Sequence, residues 1–258
     1  MKTTDVLVIG GSAAGMVAAL TGKSSWPKKN FILVKKQKEM MVPCGIPYIF
    51  GTLDCSDQNL MPVDAMLVKA GIESIVDEVV TINKEIKTVD LASGETIQYE
   101  KLVLATGSMP LKPKWLVGGE KENVFVIPKD KIYLDEMKNK LASCKKVVVI
   151  GAGFIGVEFS DELIKQGHEV TLIEKLPYIL MLAFDVELSK KIEEILALRG
   201  VNIVTGNGIK EILGEKKVES VKLENGDIIE SDAVILSVGY KPNVELARKN
   251  YCIGLNNI

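Results

Sequence analysis

The sequence predicts an α/β fold in two similar three-layer halves, each carrying an inserted β-meander. Three observations lead there. A glycine-rich turn follows an apolar strand twice: Gly10-Gly11-Ser12-Ala13-Ala14-Gly15 after Val6–Ile9, and Gly151-Ala152-Gly153-Phe154-Ile155-Gly156 after Val147–Ile150. Neither strand alternates apolar with polar residues, as expected of a parallel strand covered on both faces. Each half then ends on a similar strand running into glycine, Leu102–Gly107 and Val234–Gly239.

Taken in order, Val6–Ile9 leads to a helix over 13–23 and a strand at Phe31–Val34. Short alternating strands follow at Val79–Ile82, Thr88–Leu91 and Thr96–Tyr99. In the second half Val147–Ile150 leads to a helix over 154–166 and a strand at 170–174. Its meander runs over 208–213, 218–223 and 227–230, with Asn225-Gly226 as a hairpin turn. The halves meet in the Pro- and Gly-bearing stretch Met109–Gly119. The expected domains are residues 1–112 with 243–258, and residues 113–242.

A strand that runs into a glycine turn and then a helix offers bare N–H groups and a positive helix end to an anion. Glycine lets a pyrophosphate approach the backbone. Two such turns point to two Rossmann-like dinucleotide-binding domains, and so to a relay of electrons between two nucleotides. Gly151, Gly153 and Gly156 fit the pattern fully, with Phe154 and Ile155 opening the helix. Glu174 stands about 20 residues on, at the end of the next strand, where an acid accepts both ribose hydroxyls of NADH. The adjacent Lys175 leaves room for NADPH.

The first turn departs from the pattern, with Ser12 at its third position. Its next strand ends Val34-Lys35-Lys36, without an acid. Lys35 either salt-bridges a phosphate, contacts the adenosine through backbone, or marks a weakened site. Between the turns lies Val42-Pro43-Cys44-Gly45-Ile46-Pro47-Tyr48. A thiol fixed between Pro and Gly is a redox candidate, and a helix starting there would favour its thiolate. The plainer reading, a small buried apolar residue, suits Cys144 and Cys252 and leaves Cys55 open.

The bulk numbers are globular: 258 residues, 47% hydrophobic and 26% charged. A net charge of −2 gives no footprint for nucleic acid or an anionic membrane. The uncharged run from Val6 to Gly22 resembles a signal peptide, but glycines interrupt it where a signal's core is continuous. No other stretch approaches the ~18–20 apolar residues of a membrane helix. Four cysteines without paired metal spacing make neither a disulfide framework nor a zinc site, so a reducing cytoplasm is expected.

Together, Gly-Gly-Ser-Ala-Ala-Gly-Met, Cys-Gly-Ile-Pro-Tyr, Ala105-Thr106-Gly107, Gly-Ala-Gly-Phe-Ile-Gly-Val-Glu and Gly239-Tyr240-Lys241-Pro242-Asn243 resemble the flavin-dependent pyridine nucleotide–disulfide oxidoreductases over essentially the whole chain. More narrowly they are similar to the single-cysteine branch: coenzyme A disulfide reductases, NADH oxidases and persulfide or polysulfide reductases. The resemblance implies FAD on the first turn, NADH (or NADPH) on the second, and Cys44 as the redox-active thiol. It implies Phe154 as a gate over the nicotinamide site, Glu158 as an acid on the nicotinamide side, Val79 as a backbone contact to adenine, and Lys69 as a contact to coenzyme A.

Some positions depart. Met40 and Pro43 replace the Ser and Asn of coenzyme A disulfide reductases, and Val17, Thr21 and Ser24 replace their polar or basic contacts. A second FAD-binding segment and a C-terminal dimerisation domain, both found in relatives, are missing. His168, the only histidine, falls in a helix-to-strand turn and is read as structural.

The expected activity is reduction of a small disulfide, persulfide or polysulfide by NAD(P)H through FAD and Cys44, with O₂ as a competing acceptor. Two rivals remain open: a catalytically silent nucleotide-binding module, and a flavin reductase for a protein such as rubredoxin. A homodimer and a missing C-terminal partner segment are also open.

Overall fold

The computed structural model describes residues 1–251; residues 252–258 of the predicted 243–258 segment, Cys252 among them, lie outside the described residues. The chain forms two compact units. One comprises Met1–Val42, Leu60–Met109 and the chain from Pro242; the other comprises Pro43–Asn59 and Pro110–Lys241. The segment Pro43–Asn59 therefore clusters with the second unit, whereas the sequence reading put it with the first.

The first unit begins with β1 (Lys2–Ile9), α1 (Ala13–Ser25) and β2 (Phe31–Lys35). It continues with α2 (Val63–Lys69), β3 (Glu73–Val76), β4 (Val79–Asn83), β5 (Thr88–Leu91) and β6 (Thr96–Leu104). The sheet order is β3-β2-β1-β6-β5-β4, parallel through β6 and antiparallel beyond it. Side chains of a strand alternate between faces. Leu7, Ile9, Ile32 and Val34 pack with Ile82, Val89, Leu91 and Ile97 from the meander. Val8, Phe31 and Leu33 pack with Ala19, Val63 and Leu67 from the helices. With both faces covered, β1 has no need of polar residues in its second half, which explains its continuous apolar run. Each fully buried Leu contributes about 2 kcal/mol.

The second unit contains β7 (Val124–Val126), α3 (Lys131–Leu141), β8 (Lys146–Ile150), α4 (Phe154–Lys165) and β9 (Glu169–Ile173). α5 (Val186–Leu198) and β10 (Asn202–Val204) follow. Then come the meander β11 (Ile209–Leu213), β12 (Ser220–Leu223) and β13 (Ile228–Glu230), and β14 (Ala233–Leu236). The parallel sheet has the order β7-β14-β8-β9-β10, and the meander forms its own antiparallel sheet. Val148, Ile150, Val234 and Leu236 pack against Ile212, Val221 and Leu223 of that meander. Asp130 and Asp185 cap α3 and α5 by accepting the Tyr133 and Leu188 N–H groups at 3.1 and 2.9 Å.

The two halves are less alike than their sequences suggest. The strands expected at Thr96–Tyr99 and Leu102–Gly107 are one strand, β6, ending at Leu104. In the second unit Ser231-Asp232 breaks the same passage, because the Asp232 carboxylate accepts the Lys145 and Lys146 N–H groups at 2.7 and 2.8 Å. An acid drawn out of the ladder in this way ends β13, while Glu100-Lys101 stays in register against β1.

Candidate nucleotide sites and the cysteine turn

In the second unit, β8 ends at Ile150 and Gly151 turns the chain at φ +95°, its N–H donating to Ile173 O at 2.8 Å. Ser237 Oγ is placed 2.8 Å from Ile150 O and 2.6 Å from Gly151 O, which fixes the turn from β14's end. A Cβ on Gly156 would lie 1.9 Å from Gly151 O, so only glycine lets α4 start so close to the strand. Gly153, the extended N-cap, has nothing within 4 Å of an added Cβ. The N–H groups of α4's first turn, at Phe154, Ile155 and Gly156, have no partner within the helix. The cradle fits a pyrophosphate.

Glu174 has prior engagements. Its Oε2 accepts the Ala152 N–H at 2.7 Å and its Oε1 the Leu176 N–H at 2.8 Å. The carboxylate braces the glycine turn, and each oxygen keeps a lone pair for a ribose hydroxyl. Lys175 is exposed and paired with Glu224 at 2.9 Å. Phe154 is 55% exposed, edge-on to Phe184 with centroids 5.7 Å apart. Glu158, one turn along α4, is half-buried; burial, and then the nearby Glu162 charge, push its carboxyl pKa up. Gly239, at φ +107°, accepts the Leu111 N–H at 2.9 Å.

The first unit repeats this turn. Gly10 sits at φ +116°, its N–H donating to Val34 O at 2.8 Å, and a Cβ on Gly15 would lie 1.8 Å from Gly10 O. Ser12 takes the N-cap position with φ −79° and ψ −173°, against −73° and −175° at Gly153. Its hydroxyl does not cap the helix, and Ala13 and Ala14 are exposed at the start of α1. The departure at Ser12 therefore leaves the backbone unchanged. Ala105 N–H extends the ladder to Ile9 O at 2.8 Å. Beyond it, Thr106 Oγ1 donates to Asn243 O (2.6 Å) and Asn243 Nδ2 to Thr106 O (2.9 Å), with Asn243 N–H on Gly107 O at 2.9 Å. Asn243 was not a sequence candidate, although its motif was quoted.

A cleft of about 480 Å³ lies at these strand ends, lined by Gly10, Val34, Lys36, Glu78, Val79 and Thr106 among others. Gly10, Val79 and Thr106 are thus brought together. Lys35 is not. Its side chain is 1% exposed, and Nζ donates to Asp64 Oδ2 at 2.8 Å and Lys38 O at 2.7 Å. The phosphate-bridging role proposed for it is corrected: an ammonium buried this deeply requires its internal carboxylate. Asp64 is half-exposed, and the hydrogen bond from Lys35 draws its carboxyl below the usual range.

Cys44 is exposed within a 3-10 turn, Pro43–Gly45, followed by a second turn at Pro47–Phe50. These are single 3-10 turns rather than a longer helix, so no run of aligned peptides points a dipole at the sulfur. The segment is anchored to α4 of its own unit. Phe50 packs on the fully buried Phe159 with centroids 4.9 Å apart. Thr52 donates its N–H and its hydroxyl to Glu162 Oε2, both at 2.7 Å, and Lys165 donates to Glu162 Oε1 at 2.6 Å. Gln166 Nε2 reaches Gly51 O at 2.8 Å. Glu162 is 2% exposed and was missed in the sequence, where it reads as one more charge on a helix.

The remaining candidates stand apart. Lys69 is exposed in the last turn of α2, outside the cleft lining. Cys55 is exposed; Cys144 is buried, and that burial pushes its thiol pKa up. His168 Nδ1–H donates to Cys144 O at 2.9 Å, a structural role. Among the described residues no His, Cys, Asp and Glu cluster could hold a metal, and no helix is long and apolar enough to cross a membrane.

Parallel sheets with a glycine turn under a helix start define an α/β protein built on Rossmann-like elements, of the kind that binds dinucleotides. The family model for pyridine nucleotide-disulphide oxidoreductase matches residues 4–257. The chain belongs to that family. It is 32% identical to an NADH oxidase of Methanocaldococcus jannaschii over 257 residues, 95% of this chain and 56% of the relative. It is also 32% identical to an NAD(P)H coenzyme A polysulfide/persulfide reductase of Pyrococcus horikoshii over 250 residues, 95% of this chain and 55% of the relative. A solved NAD-dependent persulfide reductase from A. fulgidus superposes with a TM-score of 0.87 at 30% identity, covering 95% of this chain and 48% of that one. The chain thus spans about half the length of the curated relatives it matches.

Proposed function

We propose that the chain is an FAD-dependent NAD(P)H oxidoreductase acting on a small disulfide, persulfide or polysulfide. In this reading the two units are dinucleotide-binding domains, the first for FAD and the second for NADH. The observation that carries it is the pair of glycine turns with matching N-cap backbone, at Ser12 and Gly153. Bound FAD would supply hydride acceptance and onward transfer of the electron pair. The N–H groups at the starts of α1 and α4 would hold the pyrophosphates. Glu174 would brace the second turn and accept from the ribose, which favours NADH because a 2′-phosphate would meet its charge. Phe154, free on one side, would yield to the nicotinamide, and Glu158 would face it. Cys44, as thiolate, would attack one sulfur of the substrate, forming a mixed disulfide and releasing the other side, which takes a proton from solvent, as a thiol. Two electrons and a proton would then free the second thiol and restore Cys44.

The purified protein is expected to show flavin absorption bands that bleach anaerobically on adding NADH. Disulfide-dependent turnover should vanish in Cys44→Ser while NADH binding persists. Undiminished turnover in that variant would discard thiol chemistry. The inward turn of Lys35 favours a second reading, a nucleotide-binding module without flavin chemistry. A colourless protein that still binds NADH would support it.

A further inference from the structure

The first unit lacks an acid at the place where the second carries Glu174. In β2 paired with β1, Val34 stands beside Ile9; in β9 paired with β8, Ile173 stands beside Ile150. Lys35 and Glu174 are therefore counterparts. Glu174 accepts the Ala152 N–H, which a lysine cannot do. Lys35 instead lays its stem against Gly11, where an added Cβ would lie 2.7 Å from Lys35 Cβ, and spends its charge on Asp64. Neither Lys35 nor Asp64 lines the cleft over Gly10.

The next residue does. Lys36 lines that cleft, and its Nζ lies 2.9 Å from Glu78 Oε2. Glu78 precedes β4 and lines the same cleft beside Val79. Two other carboxylates line the same cleft. Asp77 accepts the Glu78 N–H at 2.7 Å and is also bonded by Ser93 and the Ala92 N–H. Glu245 faces Arg248 one turn along its helix. Glu78 has Lys36 on one oxygen, and nothing described binds the other.

We propose that Glu78, oriented by Lys36, reads the ribose diol of the adenine nucleotide in the first unit, in place of the missing acid on β2. A carboxylate accepts two adjacent hydroxyls at once, and the ammonium beside it holds one of its oxygens in place. The ligand class that follows is a dinucleotide with a free ribose diol, because a 2′-phosphate would be repelled by Glu78. The inference rests on the reading of this unit as the FAD site.

The test titrates the apoprotein with FAD, and with FAD deoxygenated at the adenosine 2′ position, by flavin fluorescence quenching. Saturating NAD⁺ occupies the second unit. Glu78→Ala is expected to weaken FAD about tenfold, Glu78→Gln about threefold and Lys36→Ala about threefold, with NAD⁺ affinity unchanged. The deoxy analogue should bind the parent about tenfold more weakly than FAD, and Glu78→Ala with no further loss. A Glu78→Ala variant that binds FAD like the parent, or still discriminates against the deoxy analogue, overturns the assignment alone. A parent that binds no FAD overturns both the assignment and the flavin reading beneath it.

Discussion

Lys35 shows at the level of one residue what a sequence leaves open. Its position at the end of β2 was legible, as was the missing acid. The direction of its side chain was not, because the deciding partner, Asp64, comes from α2 well down the chain. Glu158 gives a prediction at the same scale. Burial raises its pKa above the usual 4.5, so folding disfavours its charged form. Below that pH the group is protonated in both folded and unfolded chains and has no effect. As pH rises through the folded pKa, its destabilising contribution becomes complete. In the ligand-free protein, Glu158→Gln should melt with the parent below pH 4.5 and progressively above it as pH increases. A difference in melting temperature that stays flat with pH would refute this.

Among the elements, the strands and helices flanking both glycine turns were readable to within about two residues from apolar runs and the turns themselves, except that β1 starts at Lys2, before its apolar run. The place of Pro43–Asn59 was not readable. Its polar anchor includes a buried carboxylate on α4, and nothing local to either stretch announces the pairing. Removing that acceptor leaves the Thr52 N–H and hydroxyl without their partner and Lys165 without its nearest one. Glu162→Ala is therefore expected to cost about 3 kcal/mol in urea unfolding, and Glu162→Gln, which keeps an acceptor oxygen, about half as much. Equal losses in the two variants would show that the hydrogen bonds to Thr52 contribute nothing specific.

At the scale of the whole molecule, the repeated strand–turn–helix plan was legible, and the family followed from its motifs. Nothing in the sequence groups residues 43–59 with 110–241. Residues 110–241 lack the stretch that covers Phe159 and satisfies Glu162. A fragment of 110–241 is expected to melt below the same fragment fused to 43–59, measured by circular dichroism. Equal melting temperatures would mean that the stretch adds nothing to the unit's stability.

The clasp between Thr106 and Asn243 bears on the order of events during synthesis. On a ribosome the N-terminal half emerges first, yet its closing strap is encoded beyond the entire body of the other unit. The part translated earliest must wait for a piece made only after the body of the other unit, which can mature ahead of it.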